Sequence, residues 1–232
     1  MSDPTGSLPH VPPPTRAGLR AFEVRSGQPA AVGAIYRALG PLRGTRLLLA
    51  FAFRQAVTDP LSGLPDADPD DIEEWMARRQ FAPVVLLDDA LRIDMGMSIE
   101  DAVVVLREVV GATGAKFLGS LFPDLDPAVW AASPPAARES LVRRTFRRFG
   151  NIVDAHVHLG DREVGFDVLQ CRFADYCRQV DRLHLAPLFC HADAVFFEDP
   201  NNPYSLTRPG TLATGAPHCA FRLRFKNAPG EE

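Results

Sequence analysis

The chain has 232 residues, 46% of them apolar, and a formal net charge of −4. That suffices for a sizeable core in one domain, since domains commonly run to about 100–200 residues. Both charge signs are interspersed, so there is no basic field for nucleic acid, and the longest apolar run, Leu47 to Phe53, is far shorter than the about 20 residues of a membrane span.

The first 18 residues are Pro-rich and polar, without the apolar stretch of a signal peptide. They are expected to form a flexible tail, with residues 19–232 as one domain in the cytoplasm. Helical patterning starts at "PAAVGAIYRALG", Pro29 to Gly40, and resumes after a short turn in "GTRLLLAFAFRQAV". "LSGLPDADPDD" is a loop by its Pro and Asp content. A third helical stretch, Asp71 to Gly96, opens with acids and carries Pro83 as a kink point. Ser98, with Asp101 three residues on, marks the start of a long helix, expected to soften near Gly111 and Gly114. "ARESLVRRTFRRFG" is a further helix stopped by Gly150, its arginines suiting the negative end of the helix dipole.

At Asn151 the period changes to two. Val153, Ala155, Val157 and Leu159 alternate with Asp154, His156 and His158; Gly160-Asp161 turns the chain, and Val164, Phe166 and Val168 alternate again. This predicts a hairpin with one buried face. Two short helices follow, "CRFADYCRQVDRLH" and "LAPLFCHADAVFFED", and then a loop, "PNNPYS". The last strand puts Cys219, Phe221, Leu223 and Phe225 on its apolar side, in a hairpin whose turn is expected near Gly215-Ala216-Pro217. The fold class is therefore α+β: a helical layer, residues 19–150, packed on an antiparallel sheet formed within residues 151–232.

All four cysteines, Cys171, Cys177, Cys190 and Cys219, lie in the last third of the chain. No C-x-x-C pair occurs, which excludes zinc-ribbon and thioredoxin-type motifs. Cys171 follows a strand and opens a helix, a position that favours thiolate and suits a nucleophile. The alternative is a small core residue. Cys190 and Asp193 are three apart and share a helix face; a carboxylate on that inward face needs a partner. Asp193 would be a general base, an anchor for a cationic substrate, or a structural acid. Cys219 faces the same core, as pocket wall or packing residue, and Cys177 reads as core. His191 points about 100° away from Cys190, toward the site edge or the surface. His218 is a candidate for a pocket mouth. His156 and His158 could ligate a metal by spacing, but they occupy the polar face of their strand. Zinc or another thiophilic ion on Cys171, Cys190, Cys219 and Asp193 is the cofactor alternative to having none.

Three fragments, "FDVLQC", "LFCHAD" and "TLATGAPHCAF", fall in one order. Together they resemble the C-terminal signature of the L-2-amino-thiazoline-4-carboxylic acid hydrolase family. That pattern has a cysteine after a strand, a C-x-x-D on the next helical stretch, and a T-x-x-x-G-x-x-x-C-[DA]-F ending. The matching positions are Cys171, Cys190 with Asp193, and Thr211, Gly215, Cys219 and Phe221. The sequence departs from it at Leu169 and Gln170, ahead of the first cysteine, and at Ala220, where an acid is common. The resemblance implies a hydrolase acting on C–N bonds of a small cyclic amidine. In the family's named reaction, water attacks the ring carbon between sulfur and nitrogen of an aminothiazoline and yields N-carbamoyl-cysteine. On this reading Cys171, Asp193 and Cys190 are catalytic, and Cys219, Thr211, His191 and His218 contact the substrate. The expected partner is a small molecule, with no nucleic acid and no membrane; self-association is left open. The ending also resembles small-molecule-binding domains of vinyl-reductase type, which would bind a ligand without turnover.

Overall fold

A computed structural model describes residues 7–226. The fold is α+β, with helices filling the N-terminal half and an antiparallel sheet in the C-terminal part. The draped segment before the first helix buries Val11, and helix α1 (Arg16–Phe22) begins at a side-chain cap from Thr15. The expected tail boundary at residue 18 thus falls inside a helix; residues 1–6 of that tail lie outside the described residues. A π-helical turn, Glu23–Gly27, leads into α2 (Gln28–Val57). Gly40, with φ of 72°, and Pro41 interrupt α2, so the two segments read from the sequence meet at a kink. Helix α3 (Ile72–Asp89) is capped by Asp71 and runs through Pro83.

Helix α4 (Ile99–Leu121) starts at Ser98, whose side chain accepts from the Asp101 N–H at 3.1 Å. It does not soften at its glycines. A Cβ on Gly114 would lie 2.4 Å from the Ala192 Cβ, and one on Gly111 would press on Val195 and His191. The glycines are there for close approach by a second helix, α8 (Ala186–Glu198). After the short α5 (Pro127–Ala132), which the sequence reading did not separate, comes α6 (Pro135–Phe149), ended by left-handed Gly150. Within its basic run, Arg148 donates to the carbonyls of Ser120 and Leu121 at the end of α4.

The sheet has the order β1-β2-β4-β3 and is antiparallel throughout. Strands β1 (Ile152–Leu159) and β2 (Glu163–Cys171) form the expected hairpin. A register irregularity near Asp154 turns Val153 outward, against the simple alternation. Helix α7 (Arg172–Gln179) and α8 intervene before β3 (Tyr204–Thr207) and β4 (Cys219–Phe225). The second hairpin differs from expectation. Tyr204 and Ser205, read as loop, belong to β3, and β3 and β4 are joined by a long connection rather than a tight turn at Gly215. That connection holds a short turn, Leu212–Thr214, stabilised by reciprocal bonds between Thr211 and Thr214.

Cross-strand pairs on the buried face are Val164 with Leu223, Phe166 with Phe221, and Val168 with Cys219. Phe166 stacks on Phe221 at 4.7 Å and meets Phe146 of α6 edge-on, also at 4.7 Å. The opposite face carries Asp167 paired with His158 and Arg222. His156 and His158 are exposed there, as their strand parity predicts. Two apolar cores result. One joins the sheet to α6 and the end of α4; the other joins α2, α3, α4, α7 and α8. Cys171 packs against both. No described helix is long and apolar enough to cross a membrane.

Candidate active site

Between the two cores lies a cavity of about 850 Å³. It is lined from the first core by Phe117, Phe149 and Phe166, and from the second by Ile35, Val109 and Phe173. Cys171, Cys190, Asp193 and Cys219 all reach its wall. The sheet positions two of them: Cys171 ends β2 and Cys219 starts β4, and Cys219 is registered opposite Val168. Helix α8 supplies the other two, one turn apart on the face away from α4.

Asp193 is the charged centre of this wall. Its Oδ2 accepts from Nη1 of Arg208 at 2.5 Å, and the second terminal nitrogen of Arg208 donates to the Cys190 carbonyl at 2.8 Å. The Arg208 guanidinium lies over the Phe221 ring, 4.8 Å from its centre. Burial outweighs the arginine's attraction, and the Asp193 carboxyl is pushed up from the usual 3.8 to about 6. Among the described residues no hydrogen-bond donor is found for its Oδ1, and the residue lines the cavity.

The thiolate expected of Cys171 meets an opposing effect, burial. Cys171 does occupy the cap position of α7, and the Asn151 amide donates to its sulfur at 3.6 Å. Nevertheless burial raises its pKa; the helix-terminal N–H groups of Ala174 and Phe173 offset only part of that. Cys190 is pushed up to about 12 by burial, and Cys219, bonded by the Leu212 N–H at 3.2 Å, is also raised by burial. All three thiols are therefore protonated at neutral pH. The three sulfurs share this cavity wall with Asp193.

The remaining expected residues sit elsewhere. His191 turns toward Gly111 of α4 and is not on the cavity wall. Thr211 is buried, but it is spent on capping the Leu212–Thr214 turn. His218 is partly exposed and off the wall as well. Cys177 is fully buried in the second core, as its spacing suggested. Among the described residues no three His, Cys, Asp or Glu side chains gather to hold a metal ion.

Arg208 and Asn151 were missed by sequence reasoning. The demand of a buried Asp193 for a cation was the only signal for Arg208; its approach depends on the path of the connection after β3. Asn151 adjoins Cys171 because β1 pairs with β2, Ile152 standing opposite Cys171.

No curated protein and no solved structure matches the chain. A family model does, over residues 99–223, which is more than half of the chain. The match contains Cys171, Cys190, Asp193, Arg208 and Cys219 and stops short of α1–α3. The chain is a member of the L-2-amino-thiazoline-4-carboxylic acid hydrolase family.

Proposed function

We propose that this protein hydrolyses a small heterocycle of the cyclic amidine type, with Asp193 as the general base. The observation that carries this reading is the Asp193–Arg208 pair, set in an apolar cavity wall with one carboxylate oxygen unbonded. A carboxylate raised to about 6 is largely ionised at neutral pH yet basic enough to take a proton from water. The water oxygen would bond to the ring carbon between sulfur and nitrogen while its proton passes to Asp193. The tetrahedral carbon would then expel the ring sulfur, which takes the proton from Asp193, while the proton left on the added oxygen moves to the ring nitrogen to give the carbamoyl C=O and N–H. A carbamoyl product keeps both nitrogens on that carbon, so the bond that opens is C–S rather than the C–N bond first expected. Arg208 would hold Asp193 in place, and the neutral thiols of Cys190 and Cys219 would shape the wall.

A second reading keeps Cys171 as nucleophile. It is favoured by the Asn151 amide and the α7 N–H groups around its sulfur. A third keeps the cavity as a binding site without turnover, favoured by its apolar wall. The test is incubation with 2-amino-thiazoline-4-carboxylate, following free thiol and N-carbamoyl-cysteine. Asp193→Asn is expected to lower kcat by about 10²–10⁴-fold. Unchanged turnover in that variant would remove Asp193 as base, and full loss in Cys171→Ser alone would favour the thiol.

A further inference from the structure

The cavity is far larger than the proposed reaction requires. A single five-membered ring with two small substituents fills a minor part of about 850 Å³, near the top of the roughly 300–1,000 Å³ range of drug-sized ligand sites. Its polar reacting groups are confined to the wall formed by β2, α8, β4 and Arg208. From there the lining continues over Val109 and Phe117 of α4 to Ala31 and Ile35 of α2 and Phe22 of α1. The cations on this lining are already paired: Arg208 with Asp193, Arg79 with Glu23, and Arg78 with Glu74. An acidic chain end would find no cation on this lining without a carboxylate already beside it. An uncharged apolar chain needs none, and it would occupy space that water wets poorly.

We infer that the substrate is a cyclic amidine head carrying a long, uncharged apolar tail, the tail lying between the sheet-side core and the helical core. This rests on the hydrolase reading only for the identity of the head. The α1–α3 helices, outside the family match, supply the far part of the tail site, so the tail preference belongs to this chain's own N-terminal half.

The test uses N-alkyl amides of 2-amino-thiazoline-4-carboxylic acid, methyl through octyl. Binding to the full chain is measured by titration calorimetry and ring opening by thiol release. Burial of each methylene multiplies affinity roughly fourfold. The octyl amide is therefore expected to bind at least about 100-fold more tightly than the methyl amide. Affinity that is flat or falls with chain length overturns the inference, whatever the ring chemistry. Chain-length-dependent binding without thiol release sinks the hydrolase reading and leaves the tail site standing. Ala31→Phe takes up space on the α2 side and is expected to bring the affinity plateau to a shorter chain. An unchanged plateau in the folded variant would place the tail outside this cavity and overturn the assignment.

Discussion

Asp193 combines burial with a partner, and the two oppose each other. In the folded chain its carboxyl holds a proton up to about pH 6, against 3.8 for an ordinary aspartate. Between those values the folded chain binds more protons than the unfolded one, so stability falls as pH rises from about 4 to about 6. Asp193→Asn is expected to flatten that slope, a change of about 1–3 kcal/mol seen by urea denaturation at the two ends of the window. The same group sets the expected rate profile: kcat/KM rises with pH and levels off above about 6, and Asp193→Asn abolishes this limb. The thiols make the opposite case. With Cys190 raised to about 12, and Cys171 and Cys219 also raised, alkylation by iodoacetamide at pH 7.5 should be at least about tenfold slower than for free cysteine. Rapid modification of Cys171 would show a thiolate and revive it as nucleophile. Helical spacing put Cys190 and Asp193 on one face, since residues three apart on a helix are neighbours, and the family resemblance singled out the same pair. For Cys171 the helix N-terminus is visible in sequence, whereas the desolvation by two cores that opposes a thiolate is not.

Glycines at 111 and 114 show how one residue type carries opposite messages in an element. In isolation each weakens a helix relative to alanine by up to about 1 kcal/mol, which is why softening was expected. In the fold, α8 fills the space that their missing side chains leave. Gly114→Ala therefore sets a propensity gain against a 2.4 Å approach to the Ala192 Cβ, and the clash should win, with a net loss of about 1–3 kcal/mol. Ala192→Gly in the same chain is expected to recover part of that loss, and thermal denaturation of the four chains reads the coupling. A more stable single Gly114→Ala variant would mean that α8 can shift freely. It would also mean that the positions of Cys190 and Asp193 on α8 are loosely set. Strand alternation placed Cys219 and the first hairpin correctly, since period two depends on local sequence. The partner of β4 was misplaced because pairing over the distance from Thr207 to Cys219 is a tertiary choice.

The family match begins at Ile99, yet the molecule is not divided there. The second core is built by Ile35, Leu47, Phe81 and Leu91 from one side of that boundary and by Leu106, Phe173, Cys177 and Leu185 from the other. An ion network crosses the same boundary. Asp88, fully buried, faces Arg92, Arg182 and His184, while Asp89 bonds Arg182 at 2.8 Å and faces Arg54. Arg182 is the bridge between α3 and the segment joining α7 to α8. Its removal leaves two carboxylates in the interior with fewer partners, so Arg182→Ala should cost about 2–4 kcal/mol. Arg92→Ala removes the hydrogen bond to the fully buried Asp88 and should cost a similar amount, about 2–4 kcal/mol. The wider consequence concerns residues 98–232 expressed alone. That piece keeps Ser98, the whole sheet, the three cavity thiols and Asp193. It loses the α1–α3 half of the second core, the carboxylates that Arg182 and His184 face, and the far wall of the cavity. The apolar face of α4 and the inner sides of α7 and α8 would stand in water, a larger loss than the about 5–15 kcal/mol that holds a domain together. The expected result is no cooperative thermal transition and strong binding of a hydrophobic dye. A cooperative melt together with ring-opening activity would instead show that the matched region folds and works by itself, leaving α1–α3 as an addition to a self-sufficient unit.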